Sequence, residues 1–159
     1  MSPLTATAPA FVETAHRIVW CTVATVDPDG RPRTRVLHPI WEWDGDALTG
    51  WIATSPRSPK RRDLDATPHV SLTYWDATHD VATADCSIEW IVDPAGKEAL
   101  WRRFADGPAP VGYDPSIIPG WSSPEAEDFG GIVLRPEGLR VMPGTLMMEG
   151  RGELLTWRA

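Results

Sequence analysis

Cysteine is scarce in this 159-residue chain: Cys21 and Cys86 are too few for a disulfide framework and too far apart for a CxxC metal or redox motif. Both stand in apolar, strand-like stretches, where a buried free thiol is the expected state. The opening MSPLTATAPA has neither the basic region nor the apolar core of a signal peptide. No apolar run approaches the roughly 18 residues of a membrane span. The expectation is a cytoplasmic protein that does not enter a membrane. Positive charge is in deficit, with 15 Lys and Arg against 22 Asp and Glu and a formal net charge of -7. Such a balance excludes the broad basic face that nucleic acid or an anionic membrane requires. No spacing of His, Cys, Asp or Glu matches a metal-ligand set. Linkers, internal repeats and low-complexity tracts are also missing, so residues 1–159 read as one domain around one core.

What the chain has in quantity is 16 prolines, 13 glycines and 9 tryptophans, which implies many turns and a large aromatic investment. Residues 8–17 predict a short opening helix with Phe11, Val12 and Ala15 on one side. The β-branched run 18–26 predicts a strand, and the DPDG turn at 27–30 returns the chain into a second strand from Arg33 to Trp41. Residues 47–54 and 69–75 are further strands. In 81–92, Ala82, Ala84, Cys86, Ile88 and Trp90 alternate with polar residues, the pattern of a strand with one buried face. Residues 93–106 predict a helix with Leu100, Trp101 and Phe104 on its packed side. Residues 107–127 are too rich in proline for a long element and read as a wrapped loop with one helical turn. Residues 130–142 and 145–158 complete about seven strands, the last bulged at Gly150 or Gly152. The predicted class is mainly β with peripheral helices: an antiparallel Greek-key barrel whose closure removes most sheet edges.

The charge anomaly lies between Arg31 and Pro68, which holds seven of the fifteen cationic residues. Alternation along the second strand puts Arg33, Arg35 and Leu37 on one face, and Thr34, Val36, His38 and Ile40 on the other. Ser58 reads as an N-cap, with Pro59 first in a helix that continues through Lys60, Arg61 and Arg62. Cations at a helix start oppose the macrodipole, and a bound anion resolves that conflict. The predicted ligand therefore carries a phosphate. The competing reading is a solvated strand face and helix face paired to carboxylates. His38 is the one histidine placed to titrate beside such a site, as a catalytic group or as a structural or ligand-lining one. Cys21 and Ser58 lack the neighbouring base that a nucleophile needs.

The order of these features resembles the pyridoxamine 5'-phosphate oxidase-like family of FMN-binding split β-barrels. The residues that carry the resemblance are DPDGRPR, the strand through Arg35, the strand ending at Thr54, the SPK opening a helix, and ATPHVSLTYW. The resemblance implies that Arg33 or Arg35 and Lys60 contact the FMN phosphate, assisted by the hydroxyls of Thr54 and Ser58. It implies that the backbone about Val36, Leu37 and His38, and about Ile52, Ala53 and Thr54, faces the isoalloxazine ring. At Pro59, where the biosynthetic oxidase has an arginine, the chain departs from the pattern, with Arg61 or Arg57 as the replacement. GRGELLTWRA lacks that oxidase's arginine and histidine pattern for its substrate, so a different small-molecule substrate is implied. The resemblance further implies an oxidoreductase working as a homodimer with the cofactor at the subunit interface. Its alternatives are a reductase using the deazaflavin coenzyme F-420 on the same fold, and a non-enzymatic flavin- or haem-binding protein.

Overall fold

The computed structural model describes residues 1–159 and consists of eight antiparallel strands with four short-to-medium helices. In chain order these are α1 (Leu4–Ile18), β1 (Cys21–Val26), β2 (Pro32–Leu37), β3 (Ile40–Trp43), β4 (Leu48–Ala53), α2 (Lys60–Ala66), β5 (His69–Trp75), β6 (Val81–Ile91), α3 (Pro94–Ala105), β7 (Gly131–Met142), α4 (Gly144–Glu149) and β8 (Leu155–Arg158). The strands pair in the order β2-β1-β5-β6-β7-β4-β3, and β8 adds to β7. The two ends of that order, β2 and β3, are joined only by His38 and Pro39, so the sheet curls until its free edges meet at this linker. This is a split β-barrel.

The core follows from period-two patterning. Strand β5 alternates buried Val70, Leu72 and Tyr74 with exposed neighbours, and β6 buries Ala82, Ala84, Cys86 and Ile88. Helix α1 closes one end by inserting Ala8, Phe11 and Ala15. Phe11 meets Trp41 edge-on at 4.9 Å, and the Trp41 indole donates to the Tyr74 hydroxyl at 2.9 Å, so the largest buried side chain has its one polar atom satisfied. A second apolar cluster lies outside the barrel, where Leu100 and Phe104 of α3 pack with Ile40, Val111, Trp121 and Phe129. It anchors residues 107–129 across the outside of the sheet.

Four expectations are corrected. The strand predicted over Arg33 to Trp41 is two strands, because Pro39 lacks the N–H that a continuous ladder needs. The count is therefore eight, not about seven. The opening helix is longer than 8–17, running Leu4–Ile18. Residues 145–158 are not a bulged strand: Gly144–Glu149 is a helix ended by Gly150 in the left-handed conformation (φ 66°), and only Leu155–Arg158 is strand.

Candidate functional site

The site lies at the split of the barrel, between β2 and the segment that leaves β4 for α2. It begins with Asp27, buried at the turn after β1. Its carboxylate accepts from the Arg31 amide (2.9 Å) and the Asp29 amide (3.0 Å), and from Arg33 Nε (3.1 Å) and Nη2 (2.9 Å). The Arg31 amide, and after it the Arg33 guanidinium, hold Asp27 below the usual carboxylate range against the opposing cost of burial. One residue pair further along β2, Arg35 donates to Thr25 Oγ1 (2.8 Å) and to the Val23 carbonyl (3.2 Å). It lies 3.7 Å from buried Asp63, which also accepts from Thr25 Oγ1 at 3.0 Å. Both arginines are thus aimed by fixed partners.

Lys60 faces them from α2. Its ammonium donates to Thr54 Oγ1 (2.7 Å) and Ser58 Oγ (2.9 Å), and no carboxylate lies within ion-pair distance. Desolvation, and then the like charge of Arg35, pull its pKa below the ordinary lysine range. The fold holds this cation at a cost that a bound anion would remove. Arg33, Arg35, Lys60 and Arg62 line one open cleft with Pro59 and Asp63. Four cations against Asp63 and the Asp27 behind Arg33 leave a net charge of +2, the complement of a phosphate dianion.

Further along β2, and sharing no lining residue with the cleft, is a separate slot of opposite character. It is lined by Val36, Leu37, His38 and Ala53 of the sheet and the linker after it, and by Trp20, Pro110, Tyr113, Ile117, Ile118 and Trp121. No charged side chain lines it. The His38 ring is held between Trp20 (5.0 Å) and Tyr113 (5.2 Å), with Phe104 edge-on at 6.0 Å. Burial lowers its pKa, partly opposed by a hydrogen bond with the Val111 backbone, and Nε2 is shut away from solvent without a partner. In this conformation His38 shapes the slot wall; its Nε2 is not exposed to a ligand.

Most of the predicted residues gather here: Arg33, Arg35 and Lys60 in the cleft, Thr54 and Ser58 beneath Lys60, and Val36, Leu37, His38 and Ala53 in the slot. The Ile52 side chain points into the barrel core, so only its backbone is placed to face a ligand. Two do not behave as expected. Arg61 turns away, bonding Asp65 through Nε (2.8 Å) and lying over the Trp90 ring at 4.7 Å, while Arg62 takes the place at the cleft. Ser58 does not cap the helix: Pro59 occupies that position, and Ser58 Oγ donates to the Ser55 carbonyl at 2.8 Å and accepts from Lys60. Arg57 is drawn off to Glu127 and Asp128. Sequence reasoning named Arg62 only as one of three cations at the helix start, and missed Trp20, Tyr113 and Trp121 as site residues. Nothing local marked Tyr113 and Trp121, which come from a loop more than fifty residues beyond β4 along the chain.

The family model described as pyridoxamine 5'-phosphate oxidase matches residues 7–142, more than half of the chain. No curated protein matches the sequence. Among solved structures, a Clostridium acetobutylicum protein related to general stress protein 26 of Bacillus subtilis (pyridoxinephosphate oxidase family) superposes with a TM-score of 0.68 at 17% identity, over 98% of this chain and 94% of that one. A pyridoxamine 5'-phosphate oxidase-related, FMN-binding protein from Nostoc punctiforme gives a TM-score of 0.67 at 18% identity, covering 100% and 98%. A structure described as an F420 reductase gives 0.54 at 23% identity, covering 78% and 90%. At these identities the structural likeness is one of fold.

Proposed function

The chain belongs to the pyridoxamine 5'-phosphate oxidase family, and from that premise we propose that it binds FMN at the barrel split and acts as a flavin-dependent oxidoreductase on a small molecule. The observation that carries this reading is Lys60, a half-buried cation without a carboxylate partner in a cleft of net charge +2, with an uncharged aromatic slot further along the same strand β2. An FMN-shaped ligand has the same two parts, a phosphate dianion and a flat heteroaromatic ring. Arg35 and Lys60 would hold the phosphate by charge-assisted hydrogen bonds, with Arg33 and Arg62 adding field. Val36 to His38 lie on or just beyond an edge strand, whose outer side offers unpaired backbone groups to the ring. The Tyr113 and Trp121 side would exclude water from its other face. Bound flavin supplies the electron or hydride exchange, and the chain supplies position and a dry surround.

Purified protein titrated with FMN should gain thermal stability, about 2.7 kcal/mol at a hundred times the dissociation constant. No gain would sink the proposal. Binding without reduction by NADPH or reoxidation by any of a substrate panel would leave a flavin-binding protein and remove the enzyme claim.

A second reading has its own support: Arg57, Arg61 and Arg62 line a concavity adjoining the phosphate cleft across Pro59. The longer anionic tail of the deazaflavin F-420 would lie along it. The absorbance and fluorescence of retained cofactor separate the two. The family reading extends to a cytoplasmic homodimer. Trp20, Val36 and Ile117, each more than half exposed at the slot mouth, form the apolar surface a second copy would cover. Sedimentation of the purified protein tests that assembly.

A further inference from the structure

We infer that Thr25 is a positioning residue for the phosphate site: its hydroxyl, set between Arg35 and the buried carboxylate of Asp63, keeps the anion-binding edge of Arg35 free; this rests on the reading of the cleft as a phosphate site. The chain contains its own comparison. Arg33 and Arg35 stand on the same face of β2, opposite Thr25 and Val23 of β1. Each arginine leans two residues along β1 towards the turn, Arg35 to Thr25 and Arg33 to Asp27. At Asp27 the arginine meets a carboxylate directly, and both Nε (3.1 Å) and Nη2 (2.9 Å) close on one oxygen. At Thr25 it meets a hydroxyl, which accepts from Arg35 Nη2 at 2.8 Å and donates its own hydrogen bond to Asp63 at 3.0 Å. Arg35 Nη2 and the Asp63 carboxylate stay 3.7 Å apart, outside hydrogen-bond distance.

The donors left over by the two arginines differ accordingly. A guanidinium has five N–H groups. Arg33 commits Nε and Nη2 to Asp27. Arg35 commits Nη1 to the Val23 (3.2 Å) and Arg33 (3.1 Å) carbonyls, and one N–H of Nη2 to Thr25. Its Nε–H and second Nη2–H remain, on neighbouring nitrogens, as a bidentate phosphate contact needs. Arg35 is also the more enclosed, its side chain 23% exposed against 53% for Arg33, so its bond to an anion is less screened by water. Asp63 is the competitor for that free edge. It is buried on α2, and Thr25 Oγ1 is its one close donor, with Arg62 3.9 Å away. Without the hydroxyl, a buried carboxylate would close on the nearest guanidinium, as Asp27 does on Arg33. Thr25 thus satisfies Asp63 and holds Arg35 apart from it.

The test is Thr25→Val, which keeps shape and charge and removes the hydroxyl, with FMN and riboflavin affinities read by flavin fluorescence. Arg35 should close on Asp63, and FMN should weaken about tenfold or more, the contribution of one charge-assisted hydrogen bond, while riboflavin does not change. Thr25→Ser, which keeps the hydroxyl, should keep the FMN affinity. Asp63→Asn removes the competitor. It should raise FMN affinity by a larger factor in the Thr25→Val background than alone, because alone it only adds net positive charge. FMN affinity untouched by Thr25→Val, equal losses for FMN and riboflavin, or the same gain from Asp63→Asn in both backgrounds overturns the inference. If Thr25→Val does not fold, Arg33→Lys and Arg35→Lys decide. Both keep the charge and lose the planar edge, so Arg35→Lys should weaken FMN far more than Arg33→Lys, and equal losses overturn the inference. If FMN fails to bind, the flavin reading falls by itself, and equilibrium dialysis of inorganic phosphate against the same variants still decides the role of Thr25: phosphate that does not bind, or binds indifferently to Thr25→Val, overturns it.

Discussion

Replacing Lys60 by alanine separates a phosphate site from a merely solvated helix face. In the ligand-free protein the ammonium has two hydroxyl acceptors, Thr54 and Ser58, and a like-charged neighbour in Arg35. Its removal relieves a desolvated charge and breaks no ion pair, so the fold should keep its urea midpoint. Arg35 would be a poorer probe. It sits beside buried Asp63 and bonds Thr25 and the Val23 carbonyl, so Arg35→Ala would unsettle the strand as well as the site. A hydrogen bond to a charged group contributes about 1.5–3 kcal/mol. At about 1.4 kcal/mol per factor of ten, Lys60→Ala should weaken FMN roughly 10- to 100-fold. Quenching of flavin fluorescence gives the affinity, and riboflavin, which has the ring without the phosphate, is the control. The unaltered protein should prefer FMN to riboflavin, and the variant should lose most of that preference. Unchanged FMN affinity, or equal losses for FMN and riboflavin, would refute the assignment of Lys60 to the phosphate.

Three further outcomes follow from particular contacts. Because the Lys60 pKa is lowered, FMN affinity should fall as pH rises through a value below the ordinary lysine range, and Lys60→Arg, which stays charged, should abolish that fall; a titration series of FMN affinity checks it. His16 Nε2 accepts the Trp41 amide at 3.0 Å, and burial lowers its pKa. The unfolded chain therefore binds this proton first on acidification, so stability is fully present above the ordinary histidine range and is lost as pH drops towards the folded value; urea midpoints at pH 7 and 5.5 should show the loss, and His16→Gln should reduce it. Gly50 stands directly across from Trp41, and a Cβ there would lie 2.6 Å from the indole ring. Gly50→Ala should cost about 1–3 kcal/mol by overpacking, read from denaturant unfolding.

The local pattern of the chain determined most of the barrel. Alternation in His69–Trp75 and Val81–Ile91 marks one buried face, and those strands stand as read, because period-two burial is written residue by residue. The cationic cleft was also legible, since Arg33 and Arg35 recur on one strand face and Lys60 follows a strand end within a few residues. The rest was decided in three dimensions. Whether Arg61 or Arg62 reached the cleft depended on where Asp65 and the Trp90 ring lay, and Trp90 comes from a strand nearly thirty residues on. Ser58 was free to serve Lys60 once Pro59 took the capping position. His38 was placed on the right wall by alternation, but its enclosure came from Trp20 and Tyr113, brought together when α3 and residues 107–129 packed outside the sheet. Charge and periodicity are local properties and show in a sequence. The neutrality and shape of the slot arise from contacts between distant segments, which only the folded chain brings within reach.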